Sequence, residues 1–376
     1  MNRNYVISRN GNILSWEEVY KQYPLSNNND TYCQHYPPMD ASTLLQRLPR
    51  GAYTTCRTVK NGAHVYQFDY HMKRLEASSV SVLQSISAST SKKETKVMQA
   101  KREVLSESNH PRQEMIIIKE SLDRDMVLNY IHLTLEAFQS LYLSDVRNGS
   151  IDDKGVGLEF RITLLVTCEQ RSNKNELLNS ALFCHIGVLK NISPSENIRV
   201  LVHGYGRENA SVKDSKWVTD RKLLIPSDGY EEMILINDDG ELLEGTQTNF
   251  YVVKNLSTII TANEGVLCGS VRDAVLRVCS KHDIQIEMRP PTLKDLKCAT
   301  GVFITSTSRL VMPVNEVDLC DLLLIKNEAS NSNEIESNIG DSAFNSAYQY
   351  NNCPTIEKIK GWVLEDVETH STSLCA

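Results

Sequence analysis

The chain has 376 residues, 40 Lys and Arg against 47 Asp and Glu, a net charge of -7, and 41% hydrophobic residues. That apolar content excludes global disorder, and the length suits two domains. The acidic balance gives no positive surplus for nucleic acid. No stretch approaches the ~20 apolar residues of a bilayer span, and Met1 to Leu14 lacks the apolar run of a signal peptide. Neither nucleic acid nor membrane is an expected partner.

The segment "YVISRNGNILSWEEVY" predicts a strand, an Asn-Gly hairpin turn, a second strand and a helix start. "PLSNNNDTYCQHYPPMD" reads as a loop. "GAYTTCRTV" alternates like a strand, Asn61-Gly62 turns, "HVYQF" returns, and "DYHMKRLEASSVSVL" has helical spacing. Residues 84–113, rich in Ser, Lys and Glu, read as a partly disordered insertion with at most one exposed helix. "DRDMVLNYIHLTLEAFQSLYL" is a helix, followed by strands "GLEFRITLLVTCE", "SALFCHIGVL" and "NIRVLVHG".

In the second half, "EEMILIN" and "ELLEG" form a hairpin, and "NFYVVK" and "STIITA" are strands. "GSVRDAVLRVCSKHD" is an amphipathic helix, with Val271, Ala274, Val275 and Val278 on one face. A strand "QIEMR", a Pro-started helix "PTLKDLKCA" and a strand "GVFITST" follow. Residues 325–352 read as a solvated loop before a last helix, "CPTIEKIKGWVLEDV". The fold class expected is α/β. Ten cysteines stand singly without a C-x-x-C pair, so buried, reduced thiols, a cytoplasmic setting and no metal site are expected.

No G-x-x-x-x-G-K-[ST], H-E-x-x-H or G-x-S-x-G is present, which removes support for nucleotide phosphoryl transfer, zinc hydrolysis and the hydrolase elbow. Gly204-Tyr205-Gly206 lacks the rest of the dinucleotide fingerprint and reads as a turn. Lys213 lies just after a strand, and Glu244 ends a hairpin strand. Gly269-Ser270-Val271 opens a helix, where unpaired N–H groups and the positive dipole end suit a phosphate. Thr305 to Ser308 ends a strand with hydroxyl and amide donors. Arg74, one turn after His71, can supply a charge-assisted bond to the same anion. Read singly, these are equally a surface lysine, a solvated carboxylate, a cap and a turn. Together, a lysine nucleophile, a carboxylate and two donor-rich cradles are what pyridoxal 5'-phosphate (PLP) needs.

"GAYTTCRTVKNGAHVYQFDYHMKRLEAS", "VKDSKW", "LLEGTQTNFYVV", "VLCGSVRDAVLRVC" and "VFITSTSRLVMPV" occur in this order over residues 48–320. In this the sequence resembles the class-IV (fold-type IV) PLP-dependent aminotransferase family, which holds branched-chain aminotransferases, D-amino-acid transaminases and aminodeoxychorismate lyase. The resemblance implies a two-domain fold: a smaller α/β domain over 1–190 carrying the insertion, and a larger PLP-binding domain over 191–376 carrying the polar loop. It assigns the Schiff-base lysine to Lys213, with Lys216 the rival where the family usually has Asn. Glu244 matches the carboxylate on the pyridine nitrogen. Arg74, Ser270, Val271 and Thr307 match phosphate positions, and Tyr53, Arg57 and Arg161 fall at substrate-pocket positions. A homodimer acting on an amino acid and a 2-oxo acid is implied.

The departures bear on substrate more than cofactor. Thr54-Thr55 replace the frequent Glu after the aromatic, as in the lyase-like branch. Val271 replaces a helix-start Thr, removing one hydroxyl bond to phosphate worth about 0.5–1.5 kcal/mol. Arg309-Leu310 replace the usual small residue and Glu, so an extra cation is expected beside the pocket. The expected activity is transamination through Lys213 as general base. The alternatives are a lyase of the aminodeoxychorismate type and a PLP-binding protein without turnover.

Overall fold

The computed structural model describes residues 5–24, 36–91, 118–147, 158–169, 179–189, 197–224, 229–320 and 347–374. The chain divides into two compact units. One comprises residues 1–190, 212–219 and 370–376, and the other residues 191–211 and 220–369.

The first unit is a seven-stranded sheet in the order β17-β4-β3-β5-β6-β1-β2, all pairs antiparallel. Its strands are β1 (Tyr5–Arg9), β2 (Asn12–Leu14), β3 (Gly51–Val59), β4 (His64–Tyr66), β5 (Phe160–Glu169), β6 (Asn179–Val188) and β17 (Ser371–Ser373). The β1–β2 hairpin turns through Asn10 (φ 49) and Gly11 (φ 79), the left-handed pair that such a turn requires. Ala52, Cys56, Ile162, Leu164 and Val166 face a core closed by the helices Phe68–Ser91 and Arg124–Arg147. The opposite face carries Ile7, Tyr53, Leu165 and Phe183, which pack with the helices Trp16–Gln22 and Ala41–Arg47. Alternation along each strand therefore decides which residues can reach a ligand on that second face.

The second unit is a ten-stranded sheet. Its path runs β12 (Gln285–Met288), β11 (Thr258–Thr261), β10 (Asn249–Asn255), β9 (Leu242–Gly245), β8 (Glu232–Ile236), β7 (Arg199–Val202), β15 (Glu316–Leu319) and β16 (Ala347–Gln349). From β10 it branches to β13 (Gly301–Ser306) and β14 (Leu310–Val314). Parallel pairs join β7 to β8, β7 to β15 and β11 to β12. The helix Ser270–Lys281 buries Val271, Ala274, Val275 and Val278, as its spacing predicts. It packs with the last long helix, Pro354–Thr369.

Some expectations change. The helix from Phe68 runs to Ser91, so residues 84–91 belong to it; the rest of the 84–113 insertion lies outside the described residues. The 325–352 loop contains β16, which pairs with β15, while residues 321–346 lie outside the description. Thr292 rather than proline starts the helix Leu293–Cys298, because its hydroxyl and Asp295 form a reciprocal capping box. β17 was not anticipated; three residues carry too little pattern. Cys56, Cys184 and Cys279 are buried thiols pushed up to about 12 by desolvation, whereas Cys268 and Cys298 are exposed. Among the described residues no helix is long and apolar enough to cross a membrane.

Candidate active site

In the first unit, residues 213–215 are laid against the start of β3. Tyr53 N–H donates to Lys213 O at 2.9 Å, and Ser215 N–H donates to Gly51 O at 2.9 Å. Ser215 Oγ accepts from Gly51 N–H at 3.0 Å, and Ser78 Oγ accepts from Lys213 N–H at 3.1 Å. Arg50 clamps Asp214, with Nη2 to Oδ2 at 2.6 Å. The main chain of Lys213 is thus fixed on both sides, and its Nζ sits 4.6 Å from the centre of the Tyr53 ring, a cation–π distance. Lys216, by contrast, is exposed, and its N–H is used in a turn to Asp214 Oδ1.

Arg74 lies on the helix after β4. Its Nη2 donates to Thr54 Oγ1 at 2.9 Å, and Thr54 Oγ1 is 2.8 Å from His71 Nδ1. Arg74 Nη2 also lies 3.3 Å from His71 Nδ1, and a guanidinium only donates, so Nδ1 is an acceptor and the Thr54 hydroxyl donates to it. His71 is fully buried. Desolvation, reinforced by the charges of Arg74 and Lys213, pushes its pKa well below 6.5, so it is neutral. Thr54 therefore aims Arg74.

The second face of the same sheet gathers polar groups left without partners. Arg57 stands directly opposite Arg161 across β3 and β5, and Thr163 stands opposite His185 across β5 and β6. Among the described residues, Arg57 Nε, Arg161 Nε, Thr163 Oγ1 and His185 Nδ1 are all buried without a hydrogen-bond partner. Burial lowers the Arg57 guanidinium from its ordinary value. His185 Nε2 donates to Met39 O at 2.9 Å, which leaves Nδ1 as a bare acceptor, and desolvation depresses its pKa to about 4. Like charges placed opposite each other destabilise a sheet, and each orphaned polar group costs about 1–3 kcal/mol. A carboxylate ligand would offset the facing guanidinium charges and accept from the orphaned Arg donors.

In the second unit, Glu244 and Asn249 are register partners across β9 and β10. Both hold Leu267. Leu267 N–H donates to Glu244 Oε2 at 2.8 Å, and Asn249 Nδ2 donates to Leu267 O at 2.7 Å. Two residues on, Gly269 caps the helix Ser270–Lys281 with no side chain to satisfy the helix-start N–H groups. A Cβ at Gly269 would overlap Asn249 Oδ1, so a larger residue there would displace the Asn249 amide. Ser270 Oγ and Thr307 Oγ1 lie 3.3 Å apart beside that start. Val271 is buried in the core and offers its N–H alone. Two hydroxyls at a helix N-terminus without a side-chain cap are a donor set that fits a phosphate.

Glu244 Oε1 accepts from Arg207 Nε at 2.7 Å, with the two side chains 5% and 8% exposed. Glu232, buried in β8, holds the next turn by accepting from Thr246 N–H, Thr246 Oγ1 and Gln247 N–H. Arg309 corrects an expectation: its charge is taken by Glu231 at 2.7 Å, so it is no free cation. Arg207, Asn249, Glu232, Thr163 and His185 were not singled out from the sequence. Asn249 alone had a signal there, as the last polar residue of "EGTQTN"; the others depend on register and long-range packing.

Residues 222–317 match the profile of the family described as Amino-transferase class IV. A probable branched-chain-amino-acid aminotransferase of Aquifex aeolicus (strain VF5) is 31% identical over 137 residues, 34% of this chain and 44% of that protein. A D-alanine aminotransferase of Bacillus licheniformis is 39% identical over 88 residues, 23% of this chain and 31% of that protein. The chain thus spans less than half the length of these curated relatives. The crystal structure of the branched-chain aminotransferase of Thermoproteus uzoniensis with norvaline superposes with a TM-score of 0.56 at 15% identity, covering 98% of this chain and 99% of that one. A PLP-bound hypothetical aminotransferase of Mycobacterium tuberculosis gives 0.56 at 13% identity, covering 97% and 99%. Residues 222–317 therefore carry the class IV aminotransferase pattern, and the chain carries the fold-type IV architecture of the branched-chain aminotransferases.

Proposed function

We propose that the chain is a PLP-dependent aminotransferase exchanging an amino group between an amino acid and a 2-oxo acid. The observation that carries this reading lies within the matched segment: a buried carboxylate, Glu244, tied through Leu267 to a helix start that offers two hydroxyls. Ser270, Thr307 and the Val271 N–H would hold the phosphate, with Arg74 adding charge. Glu244 would accept the pyridine N–H. Lys213 would attach the cofactor through Nζ. When bound, PLP supplies an electron sink for the charge left by α-proton removal.

Lys213 would take and return that proton at Nζ, and the Tyr53 ring beside it would steady the ammonium form. Arg57 and Arg161 would bind a substrate carboxylate, with Tyr53 beside them on the same face. A reducing, cytoplasmic setting and a homodimer complete the proposal. A second reading is a lyase of the aminodeoxychorismate type, which rests on the resemblance of Thr54-Thr55 to the lyase-like branch.

The test is the absorbance of the protein with PLP before and after addition of single L- and D-amino acids. A band near about 410 nm that moves towards about 330 nm with one of them supports transamination and names its handedness. A stationary band favours the lyase, or binding without turnover. A band that borohydride still fixes to Lys213→Ala protein overturns the choice of lysine.

A further inference from the structure

The Gly204-Tyr205-Gly206 fragment, a plain turn in the sequence, has a definite task in the fold. Gly204 adopts φ 89, which favours glycine. A Cβ at Gly206 would come within 2.7 Å of Leu243 Cδ1, so the chain is pressed against the residue preceding Glu244. The next residue is Arg207. Its Nε donates to Glu244 Oε1, and its Nη2 donates to Ala210 O, three residues before Lys213 in sequence. Arg207 lies outside the family-matched segment.

We propose that Arg207 is a positioning residue that keeps Glu244 a carboxylate and so keeps the shared proton on the pyridine nitrogen of the bound cofactor. The inference rests on the reading of Glu244 as the ring partner. Glu244 Oε1 accepts from Arg207 and Oε2 from Leu267 N–H, which fixes the carboxylate plane. In a dry site a lone carboxylate would take the proton from its neighbour and become a neutral acid. The guanidinium removes that option: the proton stays on nitrogen, the carboxylate stays charged, and the positive ring remains an electron sink. Arginine suits this role because it cannot itself be deprotonated there.

The experiment is nitrogen-15 NMR of PLP labelled at the ring nitrogen and bound to full-length protein, with the half-reaction rate as a second measure. Wild type is expected to give a pyridinium resonance. Arg207→Gln is expected to give a neutral-pyridine resonance and at least about a tenfold slower half-reaction, the equivalent of one pKa unit. Arg207→Lys, which keeps the charge, is expected to restore the pyridinium signal. Should Arg207→Gln not hold the cofactor, Arg207→His replaces it, and its ring signal should move from pyridinium to pyridine as pH is raised through the imidazole range. A pyridinium signal in Arg207→Gln, or one independent of pH in Arg207→His, overturns the proposal. Glu244→Gln separates the two readings. If it leaves the wild-type resonance unmoved, the assignment of Glu244 fails. If it shifts the resonance while Arg207→Gln does not, only the role of Arg207 fails.

Discussion

The candidate sites of the two units treat their buried polar groups in opposite ways. In the second, Glu244, Glu232, Asn249 and Arg309 all have partners within their own unit. In the first, the sheet face bearing Arg57, Arg161, Thr163 and His185 leaves a buried polar atom of each without one among the described residues. The difference separates two kinds of binding. A set of polar groups already tied together is shaped for a ligand of fixed structure, such as a cofactor. A row of unspent polar groups lowers stability until a ligand arrives, and so couples ligand identity to the energy of the fold.

The sharpest way to test that contrast is to remove the one residue of the first unit assigned to chemistry rather than recognition. Lys213→Ala should cut the half-reaction by about 10³-fold or more, since general acid–base catalysis contributes about 10²–10⁴-fold. Its thermal midpoint should stay near wild type, because the 213–215 segment is held by main-chain bonds. Stopped-flow absorbance and a melting curve check the two halves.

Acid should expose the strained face next. His185 has a folded pKa of about 4 against an ordinary 6.5. A base with a depressed folded pKa gives stability that is whole above 6.5 and is lost as pH falls, because the unfolded chain binds the proton first. That loss should reach roughly 3 kcal/mol by pH 4, and His71, shifted in the same direction, steepens it. Urea unfolding from pH 7 to 4 reads the slope, and His185→Gln should flatten it.

A smaller effect distinguishes the units directly. Glu232→Ala should cost about 2 kcal/mol, because three turn donors lose their acceptor in a buried site. Arg161→Met should cost nothing or stabilise by up to about 1 kcal/mol, while lowering kcat/KM for the amino-acid substrate by about tenfold. If Arg161→Met destabilises as much as Glu232→Ala, the contrast between the units collapses. Denaturant midpoints for the two variants decide it.

Much of the fold could be read from the chain because its signals were local. Asn10-Gly11 and Asn61-Gly62 marked turns by their demand for positive φ, and the spacing of Val271, Val275 and Val278 marked a buried helix face. What stayed hidden depended on register. No local pattern says that Arg57 will face Arg161, that Thr163 will face His185, or that Arg309 will be claimed by Glu231. β16 was missed because three residues beside a polar run have no period of their own. The candidate site followed the same rule: Glu244 and Ser270 carried motif signals, whereas Arg207 acquires its meaning only from the turn that brings it to Glu244.

The hold on Leu267 has a consequence for sequence variation. Glu244 and Asn249 grip its N–H and its C=O and never its side chain. Position 267 is thus addressed through groups that nearly every amino acid shares. Substitution there can retune the half-buried surface without loosening the tie, and proline, which has no N–H, is the one residue barred on hydrogen-bonding grounds. A library at this single codon offers a way to vary that surface while leaving its frame untouched.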